Sequence, residues 1–328
     1  MIKFFRRNQQ IFILFIFLYC LVSIFAVYYT QEKTQYGFVP FRQPFLSGIY
    51  QNAISEGFNQ FFFTSLICLT LLFSGFYLVR IGINYLIISK RSQFSALFYI
   101  AISAFCLRFE FYNGANIAAV FLLLALDRVI GSIDKRGRSY RFLDAGLILG
   151  LGSFFYFNLI FLLPFLWVAQ LLLRPRSWRE LLYPLLGLVF PVIYLFASMF
   201  LFNKSITELL SFLWEWTLLQ KTITQDWLYL AGLGFYLLMM IIASFFALKK
   251  FAATKIQSRK LYQLLFFLFI NLVIIVLIIP SAGIEILYLM AIPSAVLLSI
   301  YFTDCKNSLL NRLIFLLLIA APIVINLL

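Results

Sequence analysis

Eleven apolar runs follow one another along the chain, at about 11–29, 61–88, 93–107, 115–130, 142–156, 158–173, 182–202, 227–247, 261–280, 286–303 and 309–328. A helix needs ~20 such residues to cross the hydrocarbon core of a bilayer. Apolar runs of that length at close spacing read as the spans of one continuous helical bundle. The fold expected is all-α: a polytopic transmembrane helical bundle of about eleven spans, one integral membrane domain over residues 1–328. Composition agrees, with 64% hydrophobic and 12% charged residues and a mean hydropathy of +0.99. So few polar groups could not cover a soluble surface.

The 26 Lys and Arg give a net charge of +14, a value that also suits a nucleic-acid binder. Their placement argues for a membrane instead. With the N-terminus inside, all but Lys33, Arg42, Arg108, Lys204 and Lys221 fall on one side of the bundle, the bias of the positive-inside rule. The expectation is a multi-pass protein of the bacterial inner (plasma) membrane, with a cytoplasmic N-terminus, an outer C-terminus, membrane lipids as partners and no nucleic acid. "MIKFFRRNQQ" and the run after it read as an uncleaved signal anchor, because the run is long enough to span and no small-residue cleavage site follows.

Two outer segments are substantial. The first is a loop at about 30–60, and the second, at 203–226, is "NKSITELLSFLWEWTLLQKTITQD". In the second, Ser205 and Glu208 have capping-box spacing, and Ile206, Leu209, Leu213 and Trp216 recur at helical spacing. It is expected to form an outer amphipathic helix, lying either in the membrane interface or against its own bundle. Gly146 and Gly150 form a G-x-x-x-G pair, which brings helix backbones close, more simply within the bundle than between copies. "FYFNLIFLLP" has no charge, so Asn158 marks either a tight turn or the middle of a re-entrant hairpin. Asn84, Asn158, Gln170 and Asn271 are polar residues inside runs, where bonds between helices account for them.

The sequence contains no histidine, which excludes Ser-His triads and His-ligated metal or haem. The four cysteines, Cys20, Cys68, Cys106 and Cys305, are far apart in sequence and form no C-x-x-C. A disulfide framework or zinc site is not expected of them, and they read as buried, inert thiols. No metal site and no cofactor is expected. No acidic residue lies at the middle of a run, which counts against ion-coupled transport.

Candidate chemistry gathers at the outer face. "RFEFYNGAN" presents Arg108, Glu110, Asn113 and Asn116 on the side where Glu32, Arg42 and Glu56 emerge. A guanidinium suits phosphate, and a carboxylate can take a proton from an attacking hydroxyl. Glu32, Glu56 and Glu110 are therefore the candidate catalytic bases, and Arg42, Arg108, Asn113 and Asn116 the candidate substrate-binding residues. A structural reading stands beside this one: Asn113, Gly114 and Asn116 turn and cap a helix, while Asp127, Arg128 and "DKRGRSYR" anchor its inner mouth.

"NGANIAAVFLLLALDRV" and "FLDAGLILGLGSFFYFNLIFLLPFLWVAQLLLRPRSWRELLYPLLG" carry a resemblance to an uncharacterised family of bacterial polytopic inner-membrane proteins, over about 108–202. The order of features is also distantly similar to integral membrane glycosyltransferases that use polyprenyl-linked sugars. That resemblance implies a glycosyltransferase-C-like arrangement, with Glu32 or Glu56 as base and Arg42 or Arg108 on phosphate. The chain departs from it by lacking the paired acidic motif and a large outer C-terminal domain. Three functions follow as expectations. The first is a glycosyltransferase-like protein of cell-envelope assembly, active or degenerate, handling a polyprenyl-linked or lipid substrate. The others are a scaffold subunit bound to other envelope membrane proteins, and a lipid transporter or flippase.

Overall fold

The computed structural model describes residues 8–34, 59–85, 93–107, 114–133, 140–173, 178–201, 227–251, 256–304 and 309–327. Eleven α-helices lie among them: α1 Gln9–Thr34, α2 Asn59–Asn84, α3 Phe94–Leu107, α4 Gly114–Ile130, α5 Tyr140–Gly152, α6 Leu163–Leu173, α7 Leu182–Leu201, α8 Trp227–Phe251, α9 Ile256–Ile278, α10 Leu287–Asp304 and α11 Leu309–Leu327. Three 3-10 turns, Phe157–Leu162, Trp178–Leu181 and Ile284–Ile286, lead into α6, α7 and α10. No strand occurs among the described residues. Each expected run carries a helix, although α1 continues through Thr34, well past the apolar run that starts it. The segment 203–226, expected to be amphipathic, lies outside the described residues.

Five stretches are long and apolar enough to cross a membrane: Gln9–Val27, Thr64–Asn84, Ser258–Ile278, Ile284–Thr303 and Leu309–Leu327. They mark the chain as a membrane protein. Burial divides the helices into two classes. Every residue of α3 is buried, and so is every residue of the Ile284–Thr303 stretch except Ile284 and Tyr301; these two helices form the centre. The helices around them turn apolar side chains outward, among them Phe25, Tyr194, Ile241 and Leu277. In water such a surface would drive aggregation, whereas beside lipid tails it costs nothing.

Contacts along the helices define two ends. At one, Phe94 of α3 packs edge-on against Phe12 of α1 and Phe315 of α11, at 5.2 and 5.7 Å between ring centroids. Phe98 and Phe302 continue that aromatic cluster from α3 into α10. At the other end, Asn326 of α11 donates to the Ala104 carbonyl at 3.0 Å and the Cys106 thiol to that of Ile284 at 3.4 Å. Arg128, Arg141, Arg259, Lys260 and Arg312 lie near helix ends on the first, basic side, and Arg80 about a turn before the end of α2.

Helices α5 and α7 run side by side and in the same direction. A Cβ on Gly146 would collide with the Pro184 carbonyl, and one on Gly187 with that of Leu143. At Gly150 it would sit 2.8 Å from the Leu188 oxygen. The G-x-x-x-G pair is thus an internal packing device, supplemented by a third glycine from α7.

Candidate functional site

Helix α5 ends at Gly152, where a Cβ would meet Phe121 at 2.7 Å and Leu159 at 2.8 Å. Only glycine admits that approach. The chain then turns through Ser153–Phe155, and Tyr156 takes an extended conformation with φ −145° and ψ 101°. The 3-10 turn Phe157–Leu162 redirects it into α6, so Asn158 sits at the tip of a hairpin. On the facing side Pro280 follows α9. Lacking an N–H, proline cannot continue a helix. The chain passes through Ser281 and an extended Gly283 before entering α10.

These two irregular stretches meet through polar side chains. Glu285 is fully buried, as are Tyr156, Asn158 and Ser281. The Tyr156 hydroxyl donates to Glu285 Oε1 at 3.5 Å, and the Gly283 N–H to the same oxygen at 3.3 Å. Asn158 Nδ2 donates to the Tyr156 oxygen at 3.0 Å, and Ser281 Oγ to Asn158 Oδ1 at 3.4 Å. A carboxylate costs several kcal/mol to desolvate, so its donors and the N-terminal end of the α10 dipole matter to its presence. Held this way, the group can accept a proton from a hydroxyl or bind a hydroxyl-rich or cationic group.

A second carboxylate is held at the basic end. Asp127 accepts from the Tyr77 hydroxyl on one oxygen and from that of Tyr85 on the other, both at 3.0 Å. Arg80 lies over the Tyr77 ring, 5.8 Å from its centroid, and Arg141 donates to the Gly131 carbonyl. Burial first, and then the charge of Asp127, push the Tyr85 phenol up to about 12. Tyr85 therefore remains a donor at physiological pH. The cluster draws together α2, α4 and α5.

The residues singled out from sequence are placed unevenly. Asn116 is buried, and its Nδ2 donates to Thr70 Oγ1 at 2.7 Å. Its Oδ1 has no partner among the described residues. Asn116 lies in the first turn of α4, at the end away from the basic helix ends, and joins α4 to α2. Glu32 belongs to the last turn of α1. The side chain of Glu32, and Arg42, Glu56, Arg108, Glu110 and Asn113 altogether, lie outside the described residues. Asn158 lies in the 3-10 turn before α6, and its bonds run to Tyr156 and Ser281, outside the helices. Glu285 escaped the sequence reading, although a signal was present: it is the one acidic residue between Asp226 and Asp304, between Gly283 and an apolar run.

No curated protein and no solved structure matches the chain. Residues 49–326 match a sequence family, and the chain belongs to it: the family of unknown function DUF6427.

Proposed function

We propose that the protein is an integral inner-membrane component of cell-envelope assembly. It handles a polyprenyl-linked or other lipid-borne substrate at the outer face, in a glycosyltransferase-like manner, and is either active or catalytically degenerate. The observation that carries this reading is Glu285, a fully buried carboxylate in a membrane protein, at the end opposite the basic one. Ionisable groups inside membranes are costly and are retained for work. Its position at the start of the Ile284–Thr303 stretch, rather than halfway along, favours chemistry at one face over ion-coupled transport. The concentration of basic helix ends on the other side supports the orientation. Arg42, Arg108 and Asn113 are the proposed phosphate and headgroup ligands, and Glu32, Glu56 and Glu110 the further candidate bases.

The test is analysis of lipid-linked envelope glycans in cells carrying Glu285→Gln, Glu32→Gln, Glu56→Gln or Glu110→Gln, with protein abundance measured alongside. Loss of one product at normal abundance is the expected result for Glu285→Gln. Wild-type glycans in all four variants, beside a phenotype for the deletion, would end the transferase reading. A scaffold that binds other envelope membrane proteins would then take its place.

A further inference from the structure

Cys20 and Cys68 are 48 positions apart in the chain, yet their sulfurs lie 3.8 Å from each other, between α1 and α2. Both are free thiols. Cys20 is fully buried, while Cys68 is half-buried. A disulfide requires sulfurs about 2.05 Å apart, so the two sulfurs at 3.8 Å have a further short approach to make before the bond closes. The third described cysteine, Cys106, is engaged elsewhere, with the Ile284 carbonyl.

We propose that Cys20 and Cys68 form a redox-active dithiol, oxidised to a disulfide by a lipid-soluble quinone. Two S–H bonds break and one S–S bond forms, and two protons and two electrons reduce the quinone to its quinol. A membrane-soluble oxidant fits, because both sulfurs lie within stretches long enough to span, Gln9–Val27 and Thr64–Asn84. Oxidation closes a covalent ring through residues 20 to 68, which contain Glu32, Arg42 and Glu56. Such a cross-link also removes conformational freedom from the unfolded chain. This assignment does not depend on the function proposed above.

The experiment treats membranes containing the full chain with duroquinone, denatures them, and counts free thiols with a maleimide-linked polymer on a gel. The count is expected to fall from four to two in the wild type, and mass spectrometry should show the peptide joining Cys20 to Cys68. In Cys68→Ser and in Cys20→Ser the three remaining thiols should all survive, and Cys106→Ser should still lose two. Cys68, being half-buried, is the substitution least able to disturb folding. Four free thiols in treated wild type, or loss of thiols that persists in Cys68→Ser, would overturn the assignment.

Discussion

Glu285 and Asp127 are each held by tyrosine hydroxyls, but in opposite surroundings. Glu285 is fully buried, and its neighbours Tyr156, Asn158 and Ser281 are buried with it. Asp127 is half-buried at a helix end, beside the exposed Arg80 and Arg128. Both clusters tie together segments remote in sequence. The difference lies in what water can do when a partner is lost. At Asp127 it can replace a missing bond, whereas at Glu285 it cannot reach. Similar hydrogen bonds therefore carry different weights at the two ends.

The strongest break in this comparison is Glu285→Leu. It leaves the Tyr156 hydroxyl and the Gly283 N–H without their acceptor, and each orphaned buried donor costs about 1–3 kcal/mol. Equilibrium unfolding in detergent should show a loss of about 2–4 kcal/mol on the same principle. A loss below about 0.5 kcal/mol would mean the knot holds little. Glu285→Gln sharpens the point, since its amide oxygen accepts the same two bonds. Retained stability with lost activity in that variant isolates the charge from the scaffold it sits in.

Next in size is Asn158→Leu, which removes the donor to Tyr156 and the acceptor of Ser281. We expect about 2 kcal/mol of destabilisation, because two buried bonds are lost together. Combined with Glu285→Leu it should be non-additive by at least about 0.5 kcal/mol, as members of one network are. Additivity would show that the two residues stabilise the hairpin independently. Asp127→Asn should cost less than either, about 1 kcal/mol or below, because its surroundings are wet. A larger loss there would erase the contrast between the ends.

The sequence revealed the bundle because the bilayer imposes one rule on every segment: apolar length and continuous helix. Gly146 and Gly150 were legible as packing residues for the same reason, since small residues four apart have few other uses in a span. Asn158 was legible as a turn, because a lone amide in an apolar run needs partners. What the sequence hid is pairing across distance. Nothing near Cys20 announces Cys68, and nothing near Glu285 announces Tyr156. Asn116 illustrates the same limit from the other side. Its neighbours pointed to a cap at the outer mouth, and nothing beside it announced Thr70, on a helix 46 positions away. Register between helices is decided by packing over the whole bundle, and a single run does not contain it.

The smallest effect separates the ends by pH. Tyr85 sits just beyond the Thr64–Asn84 stretch, and its phenol is raised from 10 to about 12 by burial and by Asp127. A raised folded-state value means that folding favours the protonated phenol. Its stabilising contribution is thus complete below pH 10, declines as pH rises through the interval, and is gone above about 12. Because the residue is only partly buried, solvent screening should keep the slope shallow. Melting temperatures of wild type and Tyr85→Phe, measured between pH 8 and 12, test this directly. The advantage of wild type should be constant up to about pH 10 and shrink beyond it. A constant difference across the whole range would mean that Tyr85 does not titrate against Asp127. Burial and Asp127 would then leave the phenol's titration unchanged by folding, and the contrast between the two ends would rest on the mutants alone.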